Sequence, residues 1–339
     1  MNNETGVYVQ TNESEANRVV AFRRGPDGGL SRLGEYETGG AGDGVPHLTS
    51  QGSVALTGDG GHLLVANAGS DDLSVFAVAD DGLALVQTIP TGPAPKSVAE
   101  HDGLVYVLGT GDPSLAGFHV REGLLEPLAG SSRELPEGAD PAQVGFTPDG
   151  STLVVTDRGT DSILLYPVDD AGSLGEARAH PSSGPTPYGF AFTGGGTMVV
   201  TEAFGAQTGK AAASSYVLRG GSVTPISRSV GNGRSEICWA VVTKDDRYAF
   251  TTNFADGAVS RYAIGADGSI ELEDAAAATA VEGETGLRDE DLSGDGRFLY
   301  AIDADARRIY AWSVGDGGSL APIGSWDDLP ATVAGLAAS

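Results

Sequence analysis

Short runs of β-branched and aromatic residues alternate with polar turns along the whole chain, and the pattern recurs about every 45 residues. The clearest copy spans residues 53–89 and contains four such runs, separated by turns rich in Gly and Asp. The runs have the length and composition of β-strands rather than helices. Four short antiparallel strands form one blade of a β-propeller, with strands A to D ordered from the central channel outward.

A constant spacing sets the register of the copies. Nine residues separate the last residue of strand B from an aromatic residue of strand C in five copies, whereas the first copy has one extra residue and the fifth has five. The pairs are Asn12–Phe22, Asn67–Phe76, Gly109–Phe118, Asp157–Tyr166, Glu202–Tyr216, Asn253–Tyr262 and Asp303–Trp312. The sequence therefore predicts an all-β fold, a seven-bladed β-propeller with four antiparallel strands per blade, in one domain over residues 1–339.

The first copy lacks a strand A, because residues 6–11 already match strand B. Residues 333–338, at the other end of the chain, have the composition to supply the missing strand. Such closure removes the free strand edges that otherwise invite aggregation. We therefore expect the C-terminal strand to complete blade 1.

The long connections of the predicted propeller fall on one face. B–C loops and D–A connections emerge together, and the expected long segments are residues 37–52, 178–188, 203–213, 230–237 and 281–287. The A–B and C–D turns on the other face are short. Because ligand-binding residues concentrate on variable loops of a rigid scaffold, we expect any binding site at the channel mouth on the B–C face.

The repeat also carries a family resemblance. Residues 54–60 (VALTGDG), 63–70 (LLVANAGS) and 73–76 (LSVF), with Arg288-Asp289 before residues 292–300, are similar to the lactonase-type seven-bladed propellers. That group includes 6-phosphogluconolactonase and 3-carboxymuconate-cyclising enzymes. The resemblance implies an enzyme of the lactonase or cyclase type that acts on a small organic acid, lactone or related cyclic metabolite.

Two other functions stay open, since propellers carry many unrelated activities. One is a non-catalytic propeller that binds a ligand or a protein through the same face. The other is a cyclase or isomerase of specialised metabolism that has reused the fold. Turnover of a lactone or cyclic acid would separate the enzymes from the binding module.

Glu202 and Arg288 are the predicted catalytic residues. Glu202 is the only Glu among the strand-B ends and precedes the longest insertion, so it could act as a general acid or base. It could equally be a structural residue. Arg288 could hold a substrate carboxylate or lactone carbonyl, and its alternative role is a salt bridge to its acidic neighbours. Asp289, the next residue, is predicted to contact substrate.

Five further residues are predicted to bind substrate. Gln51 or Asn67 would help to polarise a carbonyl, Tyr188 and Trp239 would line the pocket, and Asn253 would contact the ligand at a strand end. Each has a structural alternative, because Asn residues at strand ends commonly stabilise turns and Trp239 could belong to the core.

Composition narrows the partners to small molecules. The chain has 20 Lys and Arg residues and 46 Asp and Glu residues, which gives a net charge of −26. That charge repels nucleic acid and anionic lipid, so neither is an expected partner. No apolar run approaches a membrane span, and no signal peptide is visible at the start of the chain. We expect a cytoplasmic monomer, although a secreted protein in its trimmed mature form would look the same.

No cofactor or metal is predicted. Cys238 is the only cysteine, and the five histidines do not cluster, with only His47 and His180 expected in D–A connections of the B–C face. Nucleophile-elbow, phosphate-loop and dinucleotide motifs are absent. A Ca²⁺ ion in the channel stays open as an alternative, and its candidate ligands are Asp157, Glu202, Asp289 and Asp303.

Overall fold

The computed structural model describes residues 5–46, 51–281 and 283–339, and these residues form seven four-stranded antiparallel units, one of them with a short additional strand. Blade 1 contains β29 (Ala334–Ala338), β1 (Gly6–Gln10), β2 (Arg18–Arg24) and β3 (Leu30–Glu37). Blade 2 contains β4 (Val54–Leu56), β5 (His62–Asn67), β6 (Asp72–Ala79) and β7 (Gly82–Pro90). Blade 3 contains β8 (Pro95–His101), β9 (Leu104–Gly109), β10 (Ser114–Arg121), β11 (Leu124–Pro127) and the additional β12 (Arg133–Glu134).

The other four blades follow in chain order. Blade 4 contains β13 (Pro141–Phe146), β14 (Thr152–Asp157), β15 (Ser162–Pro167) and β16 (Arg178–Pro181). Blade 5 contains β17 (Pro187–Phe192), β18 (Thr197–Glu202), β19 (Ala212–Arg219) and β20 (Ser222–Gly231). Blades 6 and 7 contain β21 (Ile237–Val242), β22 (Tyr248–Asn253), β23 (Ala258–Ile264) and β24 (Ile270–Thr279), then β25 (Leu287–Leu292), β26 (Phe298–Asp303), β27 (Arg308–Val314) and β28 (Leu320–Trp326). Short 3₁₀ turns occur at Phe204–Ala206, Phe254–Asp256 and Asp316–Gly318.

The ring closes as the sequence predicts. The C-terminal β29 pairs antiparallel with β1, with Ala338 opposite Val7 and Ala334 opposite Gln10. The inner strands contact one another in the order β29, β4, β8, β13, β17, β21 and β25, and β25 returns to β29. The predicted all-β, seven-bladed fold and its C-terminal closure are therefore confirmed.

The core lies between neighbouring blades rather than at one centre. β5 is buried from Leu63 to Asn67 because both of its faces pack against other blades, whereas the outer strand β7 is largely exposed. One cluster joins Val7 and Val20 of blade 1 to Tyr300 and Ile302 of blade 7. Continuous apolar runs in the middle strands follow from this two-sided burial, as in other sheets covered on both faces.

One detail differs from the prediction. Residues 178–181 form β16, the outer strand of blade 4, so His180 lies opposite Ile163 in a sheet and not in a connection. The Arg-Ala-His-Pro sequence is mostly exposed and carries little strand signal, because an outer strand buries little of its surface. His47, also expected in a connection on that face, lies outside the described residues.

Candidate functional site

The inner strands of blades 5, 6 and 7 are interrupted near the B–C face. Pairing with strand B shifts between Pro187 and Phe190, between Ile237 and Ala240, and between Leu287 and Glu290. The interrupted segments contain Tyr188 and Gly189, Cys238 and Trp239, and Arg288 and Asp289. Such bulges re-aim side chains away from the regular alternation and are common beside active sites. Four of the predicted site residues therefore lie in bulges of three consecutive blades.

Arg288 is a buried cation with unused hydrogen-bond donors. The residue is 3% exposed, and its Nε and Nη1 atoms have no hydrogen-bond partner among the described residues. Its guanidinium carbon lies 5.6 Å from the centre of the Phe254 ring, on the B–C side of blade 6. Because burying an ion without partners is costly, this arginine is suited to receive an anion or a polarised oxygen.

Asp289 lies beside Arg288 and is equally buried. Burial raises the pKa of its carboxyl to about 6, against the opposing effects of Arg288 and of the Gly335 backbone N–H. The Trp239 indole N–H also lowers this pKa but does not reach full hydrogen-bond geometry, and the Oδ2 atom of Asp289 has no partner among the residues that the structure describes. A carboxyl group with one unpaired oxygen and a pKa near neutrality can exchange protons at physiological pH.

An aromatic pair borders these two ionisable residues. The rings of Tyr188 and Trp239 are 4.9 Å apart between centres and pack with Cys238 in one buried cluster. Thr156 Oγ1 donates to the Tyr188 carbonyl at 2.5 Å, and Thr201 Oγ1 donates to the Cys238 carbonyl at 2.6 Å. Hydroxyl groups of the neighbouring blades thus hold the bulged backbone in place.

Cys238 is a buried free thiol. Burial is the main reason why its pKa is raised to about 12, and its Sγ atom donates to the Glu236 carbonyl at 3.4 Å. A thiol with so high a pKa is not a nucleophile at neutral pH, because the thiolate is the reactive form.

Gln51 reaches across the channel from blade 2 to blade 6. Its Nε2 atom donates to the Ala240 carbonyl at 3.1 Å, and the Ala240 N–H donates to its Oε1 atom at 3.3 Å. A Cβ atom on Gly189 would lie only 2.6 Å from that Oε1 atom, so the crossing requires a glycine there. Gln51 therefore forms a bridge across the channel beside Trp239.

Glu202, the predicted proton carrier, is fully buried and surrounded by donors of its own blade and the preceding loop. Oε1 accepts from the Gly184 N–H at 2.9 Å and from Ser214 Oγ at 2.6 Å, while Oε2 accepts from Ser229 Oγ at 2.7 Å. The Tyr216 hydroxyl donates to Oε1 at 3.3 Å. These contacts favour the structural interpretation, and its catalytic role stays a prediction.

Asn67 and Asn253 are also occupied by local hydrogen bonds. Asn67 Nδ2 donates to Asp72 and Ser74, and its Oδ1 atom accepts from Asn17. Asn253 Nδ2 donates to Ser260 Oγ and the Ala258 carbonyl, and its Oδ1 atom accepts from Asn232. Both residues lie at strand-B ends and tie loops to the blade, so neither is part of the site proposed below.

The sequence analysis missed Arg158. This residue follows strand B of blade 4, and its guanidinium carbon lies 5.1 Å from the centre of the Tyr188 ring. Its Nη2 atom donates to Asp140 at 2.7 Å, but its Nε atom is buried without a partner among the described residues. The only available signal was its place in a B–C loop, because its proximity to Tyr188 depends on how two blades pack.

A cavity of about 780 Å³ opens at the other mouth of the channel, with walls from the A–B turns and the chain end. Several of its polar groups pair with one another. Arg24 donates to Asp295 at 3.2 Å and to the Ser339 carbonyl at 3.3 Å, and Thr57 donates to Asp59 at 2.6 Å. Paired groups have less to offer a ligand. We therefore place the candidate site on the B–C face in spite of this cavity.

Within residues 5–46, 51–281 and 283–339, no three His, Cys, Asp or Glu side chains are grouped closely enough to hold a metal ion. Over the same ranges, no helix has the length and hydrophobicity needed to span a membrane.

The family model described as "Lactonase, 7-bladed beta-propeller" matches residues 1–133, 125–203 and 199–333. The chain therefore belongs to the lactonase family of seven-bladed β-propellers. No curated protein matches the sequence.

Solved structures share the fold at low sequence identity. A candidate 6-phosphogluconolactonase from Bacteroides fragilis superposes with a TM-score of 0.77 at 19% identity, over 100% of this chain and 98% of its own. A protein from Lactobacillus plantarum gives 0.76 at 16% identity, over 99% of both chains. The periplasmic gluconolactonase of Pseudomonas aeruginosa gives 0.75 at 17% identity, over 98% of both. At these identities the likeness concerns the fold alone.

Proposed function

We propose that the protein is a lactonase-type enzyme that acts on a small organic acid, lactone or related cyclic metabolite at the channel mouth on the B–C face. The observation that carries the proposal is the buried Arg288, whose Nε and Nη1 atoms have no partner among the described residues, next to Asp289, whose Oδ2 atom has none there either. Family membership supports the reaction class. Small-molecule binding, a monomeric state, a cytoplasmic location and one domain over residues 1–339 stay predictions.

In this proposal Arg288 and Asp289 share the chemistry of lactone hydrolysis. Arg288 donates to the lactone carbonyl oxygen and stabilises the negative charge that develops when water adds to the carbonyl carbon. Asp289, as a carboxylate, takes the proton from that water and returns it to the ring oxygen when the C–O bond breaks. One water is consumed and one hydroxy acid forms. Tyr188 and Trp239 would contact the apolar part of the substrate.

The pKa of Asp289 makes the proposal testable by pH. Because the base form is needed, kcat/KM should rise with pH through about 6. Arg288 lowers this pKa, so Arg288→Gln should move the remaining rise to higher pH as well as reduce the rate. Arg178→Gln, which removes a charge on an exposed outer strand, should leave the profile unchanged.

The experiment is a screen of γ- and δ-lactones, with and without carboxylate substituents, on the wild-type protein, Arg288→Gln and Arg178→Gln. Arg178 lies exposed on the outer strand of blade 4, so Arg178→Gln removes the same charge far from the channel. We expect turnover that Arg288→Gln strongly reduces and Arg178→Gln preserves. Binding without turnover of any lactone would support the non-catalytic alternative, and equal turnover by both variants would refute the site.

A further inference from the structure

We propose that Arg158 is a second anion-binding residue of this site, and that the ligand is a small acid with two anionic groups, one at Arg158 and the other, the carboxylate that hydrolysis forms from the lactone carbonyl, at Arg288. The inference rests on the proposed function, because it assigns a substrate class to the same channel mouth. It concerns a residue on blade 4 that the proposed hydrolytic step does not use.

The first support is position. Arg158 lies in the B–C loop of blade 4, and its guanidinium lies over the Tyr188 ring of blade 5. Both Arg158 and Arg288 are close enough to Tyr188 to lower the pKa of its hydroxyl, although burial dominates and raises that pKa overall. Two guanidinium groups from blades 4 and 7 therefore approach one aromatic residue on the same face.

The second support is the hydrogen-bond count. Among the residues that the structure describes, Arg158 and Arg288 are the only arginines with buried guanidinium nitrogens that lack a partner. Other arginines use these donors in hydrogen bonds: Arg234 Nε donates to the Ala275 carbonyl, and Arg261 Nε donates to Glu273. An unpaired buried donor costs free energy unless a ligand group satisfies it.

The salt bridge to Asp140 is the competing explanation for Arg158. It uses only Nη2, at 2.7 Å, and the Asp140 side chain is 58% exposed whereas that of Arg158 is 17% exposed. A pair with one solvent-exposed partner contributes little stability and leaves Nε without a partner. Asp140 orients the guanidinium, which still has a donor for a second group.

The two guanidinium groups of the mouth favour a ligand with two anionic groups. Asp140 is turned to solvent, and the Asp289 carboxyl, which is largely ionised at neutrality, lies next to Arg288. A single carboxylate at Arg288 would leave Arg158 under-neutralised. The overall charge of −26 repels anions from the rest of the surface, so a dianion needs such a local cation pair to bind.

The test uses α,ω-dicarboxylates from malonate to adipate, each paired with the monocarboxylate of equal chain length, in calorimetric titrations at constant ionic strength. We expect the best dicarboxylate to bind the wild-type protein about tenfold more tightly than its monocarboxylate, since a charge-assisted hydrogen bond contributes on that scale. Arg158→Gln should remove this preference and keep monocarboxylate binding. Arg178→Gln is the charge-matched control and should bind as wild type.

Asp140→Asn provides a test that leaves Arg158 in place. Loss of the competing carboxylate should increase the preference of the protein for dicarboxylates. The circular dichroism spectrum of Asp140→Asn should match that of the wild-type protein. Equal binding of mono- and dicarboxylates that Arg288→Gln abolishes would overturn the role of Arg158 and preserve the anion site at Arg288. Anion binding that neither Arg158→Gln nor Arg288→Gln changes, or no binding across the series, would overturn both.

Discussion

Glu202 in blade 5 and the Arg288–Asp289 pair in blade 7 are buried ionisable groups on the same face of the propeller, but their surroundings differ. The Glu202 carboxylate accepts hydrogen bonds on both oxygens, from the Gly184 backbone and from serines of strands β19 and β20. Within the part of the chain that the structure describes, two nitrogens of Arg288 and one oxygen of Asp289 have no hydrogen-bond partner. One group is saturated by the protein and the other has capacity for a ligand.

This contrast separates structural from functional buried charge. A saturated carboxylate ties an outer strand and a loop to its blade, and removing it leaves several donors without an acceptor. An unsaturated ion costs stability in the free protein and recovers that cost when a ligand binds. Burial and position at the channel mouth, which Glu202 and Arg288 share, do not distinguish the two cases.

The largest effect is expected from removing residues 332–339, which eliminates β29. Strand β1 then loses its inner partner, and the backbone N–H groups of Ala338 and Gly335 that face Asp291 and Asp289 are lost. We expect marked destabilisation or aggregation, because the ring opens and exposes strand edges. Thermal unfolding and size-exclusion chromatography measure it, and an unchanged melting temperature would contradict the closure.

A direct comparison of stability uses Glu202→Ala and Arg288→Met. Glu202→Ala leaves the Gly184, Ser214 and Ser229 donors unpaired and should cost about 3 kcal/mol of unfolding free energy. Arg288→Met replaces an unpaired buried ion with an apolar chain of similar length and should be neutral or stabilising. Urea denaturation measures the unfolding free energy of both variants. If Arg288→Met were less stable than Glu202→Ala, the distinction between a structural Glu202 and a ligand-binding Arg288 would be contradicted.

A smaller, pH-dependent effect is expected at Glu290, which follows Asp289 on β25. Both of its carboxylate oxygens are buried without a partner among the described residues, and burial raises its pKa well above the usual value, with a further contribution from Asp291. Because the pKa of Glu290 is higher in the folded than in the unfolded state, the protein loses stability as the pH rises from the unfolded-state pKa to the folded-state pKa. Glu290→Gln should therefore stabilise the protein at pH 8 more than at pH 5.

Melting temperatures at the two pH values measure this difference. Glu271→Gln, at an exposed position of the outer strand β24, is the matched control and should show no such dependence. If Glu290→Gln shifts the melting temperature equally at both pH values, the carboxyl group is not titrating in the folded protein as described.

The smallest effect is expected from Cys238→Ser. The thiol is buried with its pKa raised to about 12, and a serine hydroxyl can donate to the same Glu236 carbonyl. Activity should fall by less than about threefold, since no step of the proposed chemistry uses the thiol. Steady-state kinetics on a lactone substrate measures it, and loss of activity with an intact circular dichroism spectrum would show that the thiol takes part.

The repeat made the fold predictable, since the spacing from strand B to the aromatic of strand C is nine residues in five of the seven copies and residues 333–338 match the missing strand. The clustering of Tyr188, Trp239, Arg288 and Asp289 followed from their common place at the start of inner strands. The hydrogen bonds of Glu202 did not follow, because Ser214 and Ser229 lie on strands whose facing side chains depend on local register shifts.

Two other features required three-dimensional packing. The Gln51 bridge to Ala240 joins residues that are 189 positions apart, and the contact of Arg158 with Tyr188 joins side chains of different blades. The bulges that aim Tyr188, Trp239 and Arg288 depend on ladder register, which residue types alone do not specify.

The most direct test compares kcat for Asp289→Asn and Glu202→Gln on the first lactone that the wild-type protein hydrolyses. Removal of a general acid–base group typically lowers the rate about 10²–10⁴-fold. We predict a decrease of that size for Asp289→Asn, and a kcat within about tenfold of wild type for Glu202→Gln once its folded fraction is taken into account. A 10²-fold or larger loss in Glu202→Gln, together with near wild-type turnover in Asp289→Asn, would contradict the account.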